Sequence, residues 1–474
     1  MRYLEWQGEI RKFCREHRQE MLDDLAQLVA VPSVVAEPLP GKPYGEAPYE
    51  VLIRAEKIAE RLGFAVKVAD DACLTAEYGD RPAQLCLMAH LDVVDAGNGW
   101  TKLPYALTQE GDRIYGRGVA DDKGPAIALL YAMKAAKELC PDLSYSPQAW
   151  FGTAEEVGSP DLRNYMKHTK LPKYTLTPDA IEPIVIGESA KHRPSFGLAW
   201  EENEACPRVV SLQGGKVRNA IPGYAEAVVA GLTRAGVEPI ALEHTKKTEV
   251  KYDLTDAPKG LKICARGRGT HIGTPQLGRN AQTALIELLA NLPLADCPST
   301  QVLKALNDLF PHGKLNGQGL GLELKDEIMG PAQANFTVCQ LTETGIACKM
   351  DSRGPTNANP ENYAHVIDRA LAAAGFVVET SEMDDAHYVR ETEPQVQLVK
   401  ELYEAVCKRP ASCHFSIGAS YAHYVEGAIS TGVAAPGIDT MLHKADEFLP
   451  LEDFDHMVEL YTLAILNFCN QETI

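Results

Sequence analysis

The segment "AQLCLMAHLDVV" (83–94) constrains the fold of this 474-residue chain more than any other segment. It is a nearly continuous apolar run that ends at His90 and Asp92. Strands buried on both faces of a parallel sheet have this composition, whereas a strand with one solvated face alternates apolar and polar residues. We therefore predict a central strand in a sheet that is covered by helices on both sides.

Helical and extended patterns alternate around this strand. Apolar residues at helical spacing occupy 5–30 and 49–64 and recur in "GPAIALLYAMKAAKEL", while "SPQAWFGTAEEVG" forms the next strand. From about residue 190 alternating strands and separate helices follow, and the first pattern returns after about residue 387. We predict a three-layer α/β domain made of residues 1–189 and 387–474, with an inserted α+β domain over residues 190–386.

The net charge and the cysteine pattern indicate the cellular location of the protein and the kind of molecule it binds. With 65 acidic and 46 basic residues, the formal net charge of −19 disfavours binding to nucleic acid or anionic membranes. The N-terminus lacks the pattern of a signal peptide, and no apolar run is long enough to span a bilayer. The 12 cysteines form no C-x-x-C pair, which is typical of reduced thiols. We expect a cytoplasmic protein that acts on small molecules.

Histidine and acidic residues gather in five segments of the predicted α/β domain, four of them at strand ends. They are His90 with Asp92, Asp121 with Asp122, Glu155 with Glu156, Asp179 in "TPDA", and His443 in "TMLHKADEFLP". Open α/β sheets bind ligands outside the carboxyl ends of their strands. We therefore expect these segments to meet in one crevice.

Imidazole and carboxylate ligands together suit zinc, manganese or cobalt. A carboxylate can bridge two such ions, and adjacent carboxylates such as Asp121 and Asp122 tolerate each other if a metal ion neutralises one of them. By the same reasoning, one residue of the pair Glu155 and Glu156 binds metal while the other accepts a proton from water. Asp92 could orient the His90 ring through its second N–H.

Each motif alone also fits a structural histidine or a solvated acidic pair. The pairs Asp23-Asp24 and Glu201-Glu202 are examples to which we assign no function. The combination of segments, in an order that makes one site, is what favours catalysis.

The motifs "MAHLDVV", "YGRGVADDKGP", "GTAEEVGS", "TPDA", "GTHIGTPQLGRNA" and "LHKADEF" together resemble a known family. It is the group of dinuclear metallohydrolases that includes acetylornithine deacetylase, succinyl-diaminopimelate desuccinylase, carboxypeptidase G and peptidase V. The resemblance runs from about residue 20 to 460. The long insertion, "TPDA" and "SIGASYAHY" look most like the peptidase V dipeptidase branch.

The resemblance implies a role for each candidate residue of the α/β domain. Two divalent ions would be bound, with zinc as the first choice and manganese or cobalt as alternatives. Glu155 would be the general base, Asp92 would orient His90, and the peptide between Asp121 and Asp122 would be cis. The implied metal ligands are His90 and Asp179 for one ion, Glu156 and His443 for the other, and Asp121 as the bridge.

The resemblance also implies roles in the inserted domain, which would act as a lid. His271 would polarise the scissile carbonyl, and Asn219 and Arg353 would hold the substrate carboxylate. The residues by themselves leave other interpretations open, since Arg353 fits a surface ion pair and Asn219 fits a turn. The sequence departs from the family pattern at two places. One is the loop Ile417-Gly418-Ala419-Ser420-Tyr421, which concerns the fit of the substrate, and the other is the pair of residues that flank His271, which concerns closure of the lid.

The resulting prediction is a monomeric, metal-dependent dipeptidase that hydrolyses small unblocked peptides. An N-acyl amino acid deacylase or a carboxypeptidase could use the same site. A catalytically silent peptide-binding protein is a third alternative, although the complete ligand set and Glu155 argue against it. The sequence does not indicate which side chains the substrate carries.

Overall fold

The structure is a computed structural model that describes residues 3–79 and 81–470. Its residues form two compact units. The α-helices are α1 (Gln7–Val29), α2 (Glu46–Arg61), α3 (Lys123–Leu139), α4 (Pro160–Tyr165), α5 (Arg234–Thr248), α6 (Ala281–Ala290), α7 (Pro298–Leu309), α8 (His365–Ala373), α9 (Pro394–Cys407) and α10 (Leu451–Phe468). Shorter helical turns cover Leu4–Trp6, Glu155–Val157, Pro275–Leu277, Gln318–Leu320, Pro360–Ala364 and Tyr421–Tyr424.

The strands vary from two to ten residues in length. They are β1 (Ala65–Ala69), β2 (Cys73–Glu77), β3 (Ala83–His90), β4 (Thr108–Glu110), β5 (Arg113–Tyr115), β6 (Ser146–Gly152), β7 (Tyr174–Thr177), β8 (Ile184–Glu188), β9 (Ala190–His192), β10 (Ser195–Ala199), β11 (Arg208–Gly214), β12 (Ala220–Ile221), β13 (Tyr224–Ala230), β14 (Lys251–Ala257), β15 (Gly260–Arg266), β16 (Thr270–His271), β17 (Lys325–Asp326), β18 (Gly330–Pro331), β19 (Gln333–Thr342), β20 (Gly345–Gly354), β21 (Val377–Glu379), β22 (His387–Tyr388), β23 (Cys413–Ser416), β24 (Ile429–Ser430) and β25 (Phe448–Pro450).

The first unit contains Met1–Glu188, His387–Phe415 and Ala419–Ile474. Its main sheet has the order β1-β2-β6-β3-β7-β24-β8-β22, with β23 paired to β8. Strand β3 pairs in parallel with both β6 and β7, and β24 pairs in parallel with β7. The strand predicted to be central is therefore a central parallel strand.

The alternation of side chains along β3 explains its continuous apolar sequence. Leu85 and Leu87 join the larger core cluster, which includes side chains of α1, α2, α3, α9 and α10. Cys86 and Met88 point the other way, into a smaller cluster with Trp150. Both faces of the strand are thus covered by apolar side chains, which confirms the predicted layered α/β fold.

The second unit contains Ser189–Ala386 and Ser416–Gly418. Its large sheet is antiparallel, in the order β14-β15-β13-β11-β19-β20-β10-β21, with β9 beside β20. Side chains from α6, α7 and α8 pack with its strands in one core cluster. The three residues Ser416–Gly418 group with this unit, whereas the predicted α/β domain includes them in its second part, residues 387–474.

None of the helices within residues 3–79 and 81–470 combines the length and apolar character required to cross a membrane.

Candidate active site

Three neighbouring parallel strands end at the same edge of the first unit's sheet and carry candidate residues there. Strand β3 ends at His90, β6 ends at Gly152 just before Glu155 and Glu156, and β7 ends at Thr177, two residues before Asp179. The backbone N–H of Leu91 donates to the carbonyl of Gly152 at 2.9 Å, which joins the ends of β3 and β6. The parallel order of the strands therefore gathers residues that are far apart in sequence.

Asp121 lies between two histidine rings. Its Oδ1 is 2.8 Å from Nε2 of His90, and its Oδ2 is 2.9 Å from Nε2 of His443. The peptide bond from Asp121 to Asp122 is cis, as the resemblance implied. A carboxylate with one oxygen directed at each of two imidazoles has the arrangement expected of a ligand shared between two ions.

Two groups of potential ligand atoms share His90. The ligand atoms of His90, Asp121 and Glu156 lie within 4.8 Å of one another, and so do those of His90, Glu155 and Asp179. Nε2 of His443 also lies 3.0 Å from Oε1 of Glu156, which is a buried oxygen. Imidazole nitrogens and carboxylate oxygens at such spacing fit zinc, manganese or cobalt.

The acidity of these groups reflects crowding of buried negative charge. Burial raises the pKa of Glu155 well above its ordinary range, and the nearby carboxylate of Asp179 raises it further. Burial likewise raises the pKa of Asp179 to about 7, with Asp121 as the next cause. Hydrogen bonds with Asp121 and Glu156 raise the pKa of His443 to about 11. A cation in this cluster would relieve the repulsion, so the residues present fit a bound divalent metal ion.

Asp92 and Asp122 hold His90 in place. The backbone N–H of His90 donates to Oδ2 of Asp122 at 3.1 Å. Nδ1 of the His90 ring lies 3.0 Å from the carbonyl oxygen of Asp92 and 3.5 Å from its Oδ1. Both groups of Asp92 therefore face the ring, with the carbonyl the closer, and Nε2 is left to point at Asp121.

The loop after β6 is held by Asp92, a residue that follows strand β3. The carboxylate of Asp92 accepts hydrogen bonds from the backbone N–H groups of Glu155 and Glu156, each at 3.1 Å. Asp92 thus contacts both His90 and the acidic pair. This link between β3 and the loop was not part of the sequence prediction.

Glu447 joins the two chain segments that carry Asp121 and His443. Its carboxylate accepts hydrogen bonds from the backbone N–H groups of Gly118, Ala120 and Asp121 at 3.0–3.3 Å. It also forms a buried ion pair with Arg117 at 2.5 Å. Both residues lie within the sequence motifs given above, but the motifs predict no function for them, because sequence alone does not show which amides a carboxylate faces.

The three remaining candidate residues lie in the second unit. Ala220 pairs with His271 in the β12–β16 ribbon, and the backbone N–H of Ile272 donates to the carbonyl of Asn219 at 3.0 Å, so Asn219 and His271 are neighbours. Arg353 is buried rather than at the surface. Its guanidinium donates to both carboxylate oxygens of Asp351, at 2.6 and 3.0 Å, and to the carbonyl of Ile417 at 2.9 Å.

The fold and the residues at the strand ends define a candidate metallohydrolase. Residues 86–467 match the family described as Peptidase family M20/M25/M40, so the chain belongs to this peptidase family. The resemblance found in the motifs is therefore confirmed.

Known proteins similar to the chain match it over nearly its whole length. The "Putative dipeptidase YtjP" of Bacillus subtilis (strain 168) is 28% identical, covering 98% of this chain and 99% of that protein. The "Beta-Ala-Xaa dipeptidase" of Lactobacillus delbrueckii subsp. lactis is 26% identical, with coverage of 98% and 99%. Human carnosine dipeptidase 1 has a similar fold, with a TM-score of 0.58, 15% identity and coverage of 98% of this chain and 100% of that chain.

Proposed function

We propose that the protein is a metal-dependent dipeptidase that hydrolyses the peptide bond of unblocked dipeptides. The observation that carries this proposal is the position of the Asp121 carboxylate between two imidazoles, with Glu155, Glu156 and Asp179 around it. Membership of the peptidase family and the dipeptidase names of similar full-length proteins support it.

His90 and Asp179 would hold one ion, Glu156 and His443 the second, and Asp121 both. When bound, two divalent ions would supply Lewis-acid polarisation of the scissile carbonyl and a lower pKa for the attacking water. We propose zinc, with manganese and cobalt as alternatives, because nitrogen and oxygen ligands suit all three.

Glu155 is the proposed general base. It is half-buried beside Asp179, and its pKa is raised, so it can take a proton from water and later donate that proton to the leaving amine. Asp92 positions both partners of this chemistry, since it contacts the His90 ring and the backbone of Glu155. The protein groups thus supply proton transfer and orientation.

The second unit supplies the proposed substrate contacts. His271 has an exposed ring that could donate a hydrogen bond to the developing oxyanion. Asn219, its neighbour in the ribbon, and Arg353 would bind the substrate carboxylate. Among the described residues, Asp351 and Ile417 accept from three of the five guanidinium N–H groups of Arg353, so the side chain retains donors for this purpose.

We also propose that the protein is a cytoplasmic monomer. All 12 cysteines are unpaired thiols, as expected in a reducing compartment. The mass in solution, measured by light scattering, tests the oligomeric state.

The test is amino acid release from a panel of dipeptides, their N-acetylated forms and tripeptides, by protein treated with chelator and then resupplied with zinc, manganese or cobalt. A dipeptidase should cleave free dipeptides, lose all activity on chelation and regain it with one metal. Cleavage of only the acetylated compounds would instead assign the deacylase activity. Cleavage of longer peptides would assign a carboxypeptidase, and binding without turnover would assign a peptide-binding protein.

A further inference from the structure

Four consecutive backbone amides in the loop that carries Glu155 donate to two buried carboxylates. The N–H groups of Thr153 and Ala154 donate to Oδ2 of Asp161, at 2.7 and 2.9 Å. Those of Glu155 and Glu156 donate to the two oxygens of Asp92. Every backbone amide from Thr153 to Glu156 is therefore hydrogen-bonded to a carboxylate. Two of these four hydrogen bonds are made by Asp161, which has no role in the proposed mechanism.

Asp161 is built into this position. It lies in the first turn of α4 and its side chain is 1% exposed. Its Oδ1 accepts a hydrogen bond from the N–H of Leu162 at 2.8 Å, while Oδ2 accepts from Thr153, Ala154 and the hydroxyl of Tyr421. Both oxygens accept hydrogen bonds, which requires a carboxylate, because the nitrogen of an amide cannot accept a hydrogen bond.

Tyr421 supplies the third donor and fixes Asp161 from the opposite side. Its hydroxyl lies 2.6 Å from Oδ2 of Asp161, and its ring packs edge-on against Trp150 with 5.0 Å between the ring centroids. Gly152 makes this approach possible, since a Cβ there would lie 2.0 Å from the Tyr421 hydroxyl and 2.3 Å from Oδ2 of Asp161. The end of β6 is therefore shaped to admit the Asp161 and Tyr421 pair.

We propose that Asp161 and Tyr421 are positioning residues that set the place of the Glu155 carboxylate through the backbone of Thr153–Glu156. This inference rests on the proposed function, in which Glu155 transfers the proton. A displacement of the Glu155 carboxylate by about 1 Å can reduce turnover by ~100-fold. The same displacement should have little effect on substrate contacts that are made by other residues. Loosening the anchor should therefore lower kcat more than it changes KM.

The variants are Asp161→Asn and Tyr421→Phe. The first places an N–H₂ group where one carboxylate oxygen accepts hydrogen bonds, and the second removes one donor while keeping the ring. Tyr131→Phe is the matched control: Tyr131 is a buried tyrosine of the same unit whose hydroxyl donates to the carboxylate of Asp24 at 2.8 Å. It loses the same kind of hydrogen bond, outside the loop.

For Asp161→Asn we expect kcat per bound metal ion to fall about 10- to 100-fold, with KM within about threefold of the wild type. Tyr421→Phe should show the same pattern with a smaller loss, and Tyr131→Phe should keep the wild-type kcat. In any of the three variants, a loss of stability alone would lower the yield of folded protein. It would not produce a selective fall in kcat per bound metal ion.

Hydrogen–deuterium exchange of the peptide that contains residues 152–157 provides a readout that does not need turnover. Exchange there should accelerate in Asp161→Asn and Tyr421→Phe and stay unchanged in Tyr131→Phe. Unchanged exchange, or kcat within twofold of the wild type in both variants, would overturn the inference; if Asp161→Asn does not fold, Tyr421→Phe decides. Wild-type protein that exchanges slowly at this loop but cleaves no peptide would overturn the proposed function instead.

Discussion

The strand-end loops and the C-terminal segment, residues 437–447, bring proposed metal ligands to the same cluster in different ways. His90 follows directly from a central strand and its side chain is 1% exposed, whereas the His443 side chain is 49% exposed. Carboxylates of other segments hold the backbone around His90 and Glu155. In the C-terminal segment the relation is reversed, because its own Glu447 and Asp446 hold backbone amides elsewhere.

The backbone conformation shows the same contrast. Met441, His443 and Asp446 have φ values of 59–60°, in the left-handed region. Each such non-glycine residue costs about 1–3 kcal/mol, which surrounding contacts must offset. The proposed ligand His90 is thus fixed by burial at the end of its strand, while His443 depends on the contacts made by the end of its segment.

The first prediction compares two neighbours within the strand-end loop. Glu155→Gln should lower kcat by about 10³-fold or more while the protein still binds two metal ions per chain, because it removes the proposed proton acceptor without removing a ligand. Glu156→Gln has the same change of size and charge but should lose one ion. Metal content by elemental analysis and turnover of a dipeptide distinguish the two. Near-normal turnover in Glu155→Gln would refute its role as base.

The second prediction tests the tie between the C-terminal segment and Asp121. Glu447→Gln leaves the buried guanidinium of Arg117 without its charged partner, which should destabilise the protein by about 3–5 kcal/mol. It should also weaken metal binding by about 10- to 100-fold, since the amide of Asp121 loses an acceptor. Urea unfolding and metal titration measure the two effects.

Glu46→Gln is the control for Glu447→Gln. Glu46, the first residue of α2, forms a solvent-accessible ion pair with Lys42 in the preceding turn, and removing such a pair changes stability by about 0–1 kcal/mol. If Glu447→Gln behaved like this control and kept wild-type metal affinity, the C-terminal segment would be held by other contacts.

The positions of the candidate residues at the strand ends could largely be predicted from the sequence, for a physical reason. A strand buried on both faces must be apolar throughout, so "AQLCLMA" identifies β3 and marks the sheet edge where His90 appears. The acidic pair at Glu155 and the lone Asp179 follow neighbouring strands and could be placed at the same edge by the same reasoning. The helix predicted over 5–30 is likewise present, as α1 at Gln7–Val29.

The supporting contacts could not be predicted. Asp161 follows Pro160 at the start of a helix, where an acidic residue is favoured by the helix dipole whatever else it contacts. Its approach to Tyr421 spans 260 positions of the chain and depends on tertiary packing. The position of Ser416–Gly418 with the second unit has the same origin, since Ser189 and Arg353 both donate to the carbonyl of Ile417.

The third prediction, with the smallest expected effect on stability, concerns Asp446, which also links the C-terminal segment to another part of the chain. Its carboxylate accepts hydrogen bonds from the N–H groups of Thr101 and Lys102, at 2.8 and 3.2 Å, and from the hydroxyl of Thr101 at 2.9 Å. The hydrogen bond from the Thr101 amide is the main cause that lowers the pKa of Asp446. A group with a lowered pKa in the folded state stabilises the protein above its unfolded pKa of about 3.9, and this contribution is lost as the pH falls through the folded pKa.

Asp446→Asn should therefore cost about 1 kcal/mol at pH 7, and the difference from the wild type should shrink as the pH falls below about 4. Asp439→Asn is the matched control in the same segment. Asp439 pairs with Lys444 and accepts from the N–H of Met441, both within the segment, and its loss should change stability by less than about 0.5 kcal/mol. Urea unfolding at pH 7 and pH 3.5 measures both variants. Equal effects of the two substitutions would show that the tie to residues 101–102 does not hold the segment, and that Glu447 alone fixes the position of His443.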